Sequence, residues 1–135
     1  MSRRFAILLL AVSAGSACNS EEVTGGHGTP VDAQFVVGGA AATPGLTLAA
    51  GQTVRVEIEL LDADGEHIHD LEDGHFASLS FSPSGLATVA AVTGEPFMFD
   101  VTAQATAGTG TVAVGYGHDV AADEDSFGPF TVTVN

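Results

Sequence analysis

Glu66-His67-Ile68-His69-Asp70 is the segment whose residue types and spacing best suit metal chemistry. In an extended chain residues i and i+2 point to the same side, so His67 and His69 present two imidazoles to one ion while Ile68 turns towards the core. His75 and His118 are candidate third and fourth ligands, and the carboxylates of Glu66, Asp70 and Asp119 can ligate or orient the rings. An imidazole-rich set favours Zn(II), Cu(II) or Ni(II) over calcium, so the expected cofactor is a zinc or copper ion. Pairs of the His-x-His kind also occur on exposed strands with no ion attached, and solvated surface histidines are the competing expectation. No nucleophile elbow, phosphate-binding loop or His-Glu-x-x-His pattern is present. Asp62-Ala63-Asp64-Gly65 has the acidity of a calcium loop, but the EF-hand register puts Leu60 at the first ligand position, so the segment reads as a turn.

Strands must hold these groups in place. Val54-Arg55-Val56-Glu57-Ile58-Glu59-Leu60 puts Val, Val, Ile and Leu on one side and Arg, Glu and Glu on the other, as a half-buried antiparallel strand requires. Arg55, Glu57 and Glu59 are then its solvated side. Similar runs cover Val31 to Val37, Ala77 to Phe81, Leu86 to Val92, Phe97 to Thr106, Thr111 to Tyr116 and Phe130 to Val134. Between them stand Ser82-Pro83-Ser84-Gly85, Thr93-Gly94-Glu95-Pro96 and Ala107-Gly108-Thr109-Gly110, all strong turn chemistry. About seven short strands with frequent turns predict an all-β chain folded as an antiparallel β-sandwich, with Phe97, Phe99, Tyr116 and Phe130 in the core or at its rim.

Antiparallel strands alternate in direction, so their loops sort to two poles. One pole receives Asp62, Asp64, Glu66, Asp70, Glu72, Asp73, Glu95, Asp119, Asp123, Glu124 and Asp125, together with His67, His69, His75 and His118. The other, formed by Gly38 to Gln52, Ser82 to Gly85 and Ala107 to Gly110, holds no charged residue and no histidine. Self-repulsion at the first pole predicts a cation as its partner.

The whole chain is acidic too. Its 135 residues carry 17 Asp+Glu against 3 Lys+Arg, a formal net charge of -14, which leaves too few cations to bind nucleic acid or an anionic membrane surface through a basic patch. This length allows one domain. Ser2-Arg3-Arg4, the apolar run Phe5 to Val12 and the small residues Ser13 to Ala17 read as an export signal, whose 8-residue apolar run is far short of the ~20 residues that span a bilayer. The signal occupies residues 1–17 and resembles that of bacterial lipoproteins, in which the cysteine after the cut is lipidated; here that residue is Cys18. Removing it leaves Arg55 as the only Lys or Arg. Residues 18–30 are too poor in bulky apolar side chains to fold and read as a flexible tether, with His27 a solvated linker residue. The folded domain is expected over residues 31–135. A lipid on Cys18 is the only membrane attachment expected, at the bacterial cell envelope; the alternative is a freely secreted protein with one unpaired cysteine at its N-terminus.

Leu46-Thr47-Leu48-Ala49-Ala50-Gly51-Gln52-Thr53-Val54, followed by a strand and Leu61-Asp62-Ala63-Asp64-Gly65, resembles the opening of a bacterial immunoglobulin-like domain of the group 2 (Big) type. Gly85-Leu86-Ala87-Thr88-Val89 and Ala107-Gly108-Thr109-Gly110-Thr111-Val112 resemble its middle and its penultimate strand. The resemblance covers roughly residues 31–135 and implies a single Ig-like sandwich in a non-enzymatic spacer, adhesion module or ligand-binding unit. The histidines and the acidic loop before the last strand depart from that pattern. The His-x-His pair also looks like the copper site of Cu/Zn superoxide dismutases, but the exported chain lacks a disulfide pair and its only Arg is away from the acidic pole, so that enzyme is not expected. The expected function is therefore a non-catalytic envelope lipoprotein binding a divalent transition metal at its His/Asp/Glu-rich pole. The alternative is a structural or adhesive Ig-like surface module without a metal site.

Overall fold

The computed structural model describes residues 28–69, 74–118 and 125–135. The expected signal, most of the expected tether with Cys18 and His27, and Asp70 and Asp119 lie outside these residues. Nine strands follow in order: β1 (Asp32–Val37), β2 (Ala40–Ala42), β3 (Gly45–Leu48), β4 (Thr53–Leu61), β5 (His75–Ser82), β6 (Ala87–Val92), β7 (Glu95–Ala103), β8 (Gly108–His118) and β9 (Asp125–Val134). They form a five-stranded sheet, β2-β1-β4-β7-β6, and a four-stranded sheet, β3-β9-β8-β5. All pairings are antiparallel except β3 on β9. With the two short strands set aside, β1-β4-β7-β6 facing β9-β8-β5 is the strand order of an immunoglobulin-type sandwich.

The period-two pattern places the core where the sequence puts it. Val56, Ile58 and Leu60 of β4 point inward and are 0–3% exposed, while Arg55, Glu57 and Glu59 lie on the outer face. Val112 and Val114 of β8 and Val132 and Val134 of β9 fill the opposite sheet's inner face. Phe99 and Tyr116 are buried, and Phe97 and Phe130 pack against the same core. Among the described residues no polar or charged side chain is buried.

Three expectations need correction. Gly38 to Gln52 is not a plain connection: β1 turns at Gly38-Gly39 into β2, and the chain then crosses to the other sheet as β3. This crossing depends on Gly45, where a Cβ would collide with the Thr131 carbonyl of β9. Ala107 to Gly110 is not a turn either, because β8 already begins at Gly108, opposite Val134. Gly110 marks a close backbone approach, since a Cβ there would meet the Ser82 carbonyl. The strands β4, β5, β8 and β9 also run past their expected ends, above all β8 and β9, whose pairing carries them into the acidic pole, whereas β7 starts at Glu95 and stops at Ala103, short of the expected Thr106.

The uncharged pole is closed by backbone hydrogen bonds between loops. Gly51 donates to Gln104, Gln104 to Leu86 and Ala50 to Asn135 at 2.8–2.9 Å, and Leu86 buries its side chain beneath them. On the outer face, Arg55 of β4 makes a two-pronged contact with Asp100 of β7, Nε to Oδ1 at 3.0 Å and Nη2 to Oδ2 at 3.1 Å. Arg55 therefore pairs directly across the strand, where the sequence pattern alone had it only as part of a solvated row.

Leu60→Ala should lower the unfolding free energy by about 2–5 kcal/mol, read from equilibrium urea denaturation, because a 1% exposed side chain leaves a cavity between the sheets. Asp100 gives a pH test. The Arg55 hydrogen bond, with its charge, holds the Asp100 carboxyl below the ordinary 3.8, so its contribution is complete above that value and is lost as pH falls through the lowered one. In Asp100→Asn, stability below pH 4 should fall less steeply than in the wild type, and 1 M salt should shrink the difference.

Candidate functional site

The acidic pole is built from the end of β4 outward. After Leu61 the chain turns at once: the Asp62 carboxylate accepts hydrogen bonds from the backbone N–H groups of Asp64 and Glu66, both at 2.9 Å, and Gly65 N–H donates to the Asp62 carbonyl at 3.0 Å. The segment is thus the turn its composition predicts, with its first Asp folded back on its own backbone. It returns alongside β4, where Ile68 N–H donates to the Leu60 carbonyl at 2.9 Å and His67 stands opposite Leu61. The returning segment occupies the β4 edge beyond Glu57, where the register with β7 ends.

This short extended return gives the expected alternation. Ile68 packs against the core, while His67 and His69 are exposed with ring centroids 5.9 Å apart. His67 is engaged at both nitrogens: Nδ1 lies 3.2 Å from Glu59 Oε2, and Nε2 lies 2.9 Å from the Gln34 amide nitrogen. Gln34 in turn donates to Glu59 Oε2 at 2.6 Å. An imidazole carrying its proton on Nδ1 satisfies all three contacts, donating to the carboxylate and accepting from the amide. Reading the sequence for ligands missed Glu59 and Gln34. Glu59 carried a signal, an outward carboxylate near the strand end, but only the β1–β4 register places Gln34 opposite it.

His75 and His118 are not loop residues, as the sequence suggested, but the first residue of β5 and the last of β8. They face each other directly in the antiparallel pairing, with ring centroids 4.6 Å apart and planes at 65°. His75 also stacks on Tyr116, at 5.4 Å and 4°, and Tyr116 lies 6.5 Å from Phe97. The ring is half-buried in this aromatic column, which gives it a fixed orientation.

The four histidines therefore form two pairs, one on the outer edge of β4 and one across β5 and β8. Among the described residues no group of three or more His, Cys, Asp or Glu is placed to hold a metal ion. Glu66 is exposed and takes part in the turn through its backbone, with its N–H on the Asp62 side chain and its carbonyl accepting from Asp62 N–H at 3.0 Å.

No protein-family model matches the chain, and no curated protein matches it. Similar solved structures include domains 4 and 5 of the S-layer protein SbsC, at 19% identity and a TM-score of 0.44, covering 78% of this chain and 53% of that one. The adhesin InvE of Yersinia pseudotuberculosis is similar over 83% of this chain and 28% of its own, at 19% identity and a TM-score of 0.45. The Lin-41 filamin domain is similar over 78% of this chain and 96% of its own, at 12% identity and a TM-score of 0.42. The chain spans about half the length of the SbsC fragment.

Proposed function

We propose that this chain is a non-catalytic structural or adhesive surface module, an Ig-like sandwich of the Big type held at the bacterial cell envelope by a lipid on Cys18. The observation that carries this reading is how the polar groups of the acidic pole are used. Glu59, His67 and Gln34 tie the returning segment to β1 and β4, and His75, Tyr116 and His118 tie β5 to β8. Each set reinforces a strand end, as a rigid extracellular module requires.

A second reading has one observation in its favour. Two imidazoles bound to one ion at about 2.0–2.1 Å and a tetrahedral angle have ring centroids on the order of 5 Å apart, and the His75–His118 separation is 4.6 Å. In this reading a zinc or copper ion sits on that pair, with His67 and His69 at the same pole and Glu66, Asp70 and Asp119 as supporting carboxylates.

Thermal unfolding of the exported chain with zinc or copper separates the two readings. The structural reading expects the same melting temperature with and without saturating metal, in the wild type, in His67→Ala/His69→Ala and in His75→Ala/His118→Ala. A metal site expects a rise in the wild type, equivalent to about 2.7 kcal/mol at a hundredfold excess over Kd, and its loss in His75→Ala/His118→Ala. Fractionation tests the anchor: wild type expressed in a bacterium should enter the membrane fraction with a lipid-sized mass increment on Cys18, and Cys18→Ser should not. An unmodified wild type in the soluble fraction would sink the lipoprotein assignment.

A further inference from the structure

The two sides of the sandwich end differently. On one side the short edge strands β2 and β3 lie against each other and close it. On the other the edges are β5 and β6, and β5 packs over β7, so the four-stranded sheet stops one strand short of β6. Ala87, Val89 and Ala91 of β6 stand opposite the buried Ala103, Val101 and Phe99 of β7, and so share the inner face of their sheet. Only Ala87 is buried in its turn; Val89 is 37% exposed, and Ala91 is exposed as well. Between β5 and the β6–β7 hairpin runs a groove of about 420 Å³, with Phe76 of β5, Ala91 and Val92 of β6, and Pro96 and Phe99 of β7 in its walls. Glu95 is its only charged side chain, exposed and in no ion pair among the described residues.

We propose that this open seam receives an extended, basic segment of another protein, which adds to the outer edge of β5 and completes the four-stranded sheet over β6. The proposal rests on the sandwich geometry and not on the lipid anchor or on a metal. No described strand lies beyond β5, and its sequence, His75 to Ser82, lacks the lysines, prolines and extreme shortness that blunt natural edge strands. An added strand repeats the two-residue alternation of its neighbours, so every second side chain faces Val89, Ala91 and the groove and should be apolar. Charge selects the partner. The chain carries a net charge of -14, and Arg55, the only Lys or Arg among the described residues, is held by Asp100 on the outer face of the five-stranded sheet. A second copy would therefore be repelled and would bring no free cation to Glu95. A segment with Lys or Arg at the end that reaches Glu95 and the acidic pole is attracted by both. β5 runs from the acidic pole at His75 to the uncharged pole at Ser82, so antiparallel addition, the more stable pairing, puts those cations at the segment's C-terminal end.

Fluorescence anisotropy tests this with a synthetic probe, Thr-Val-Thr-Val-Thr-Val-Lys-Lys, labelled at its N-terminus, amidated at its C-terminus and titrated with the exported chain under a thiol reductant. Saturable binding is expected, with a Kd that rises as salt increases from about 0.05 to 0.5 M. Glu95→Lys, at an exposed position, should raise Kd by about tenfold and should favour a probe ending in Glu-Glu over the one ending in Lys-Lys. Glu57→Lys makes the same change in net charge on the outer face of β4 and should leave Kd nearly unchanged. Pro-Pro in place of the central Val-Thr removes a backbone donor facing β5 whatever the register, and should also weaken the probe by about tenfold. Four outcomes overturn the proposal. They are no saturation at about 1 mM chain, equal binding of the Pro-Pro probe, equal effects of Glu95→Lys and Glu57→Lys, and a chain that sediments as a dimer and leaves the probe unbound, its seam filled by a second copy.

Discussion

Every other residue of the long strands is committed to the contact between the two sheets, and the rest of the molecule follows from that commitment. Val56, Ile58 and Leu60 on one side and Val112, Val114, Val132 and Val134 on the other are removed from water almost completely. Burying a side chain of this size contributes about 1.5–3 kcal/mol, more than a typical exposed polar contact supplies. The residues between them are thereby turned outward. Among the described residues, polar and charged side chains are confined to the outer faces and the two poles.

The poles solve the problem of ending a sandwich in different ways. At the uncharged pole, backbone groups of neighbouring loops bond one another and Leu86 closes the core beneath them. At the acidic pole side chains do this: Asp62 shapes the turn, Glu59 and Gln34 hold His67, and Tyr116 holds His75. The same carboxylates that concentrate charge are thus partly used as hydrogen-bond acceptors. The Glu59–His67 contact is half open to solvent, which keeps its strength near that of a surface pair, worth about 0–1 kcal/mol. Its effect is on where the ring sits.

Legibility varied from residue to residue for reasons that are physical. The strand Thr53–Leu61 was readable because seven consecutive residues alternate without exception, and the Asp62–Gly65 turn because its bonds are local. The exposed His67 and His69 and the inward Ile68 followed from the two-residue repeat of an extended chain. The Arg55–Asp100 contact was not readable, because 45 residues separate its partners and a one-residue slip in the β4–β7 register would have paired Arg55 with a different face. Nor was the role of Gly45 or Gly110, since each is explained by a carbonyl from another strand.

The amino-acid sequence by itself determined the all-β class, the direction residues face in cleanly alternating strands such as Thr53–Leu61, and the sorting of the described charges to one pole, because alternation and turn chemistry act over a few residues. Only the tertiary structure decided that four histidines at this pole stand as two pairs. It also decided that Glu59 and Gln34 engage His67, and that β6 is left at an edge without charge. These depend on strand order and register, which are set when the whole core closes and are carried by no single segment of the chain.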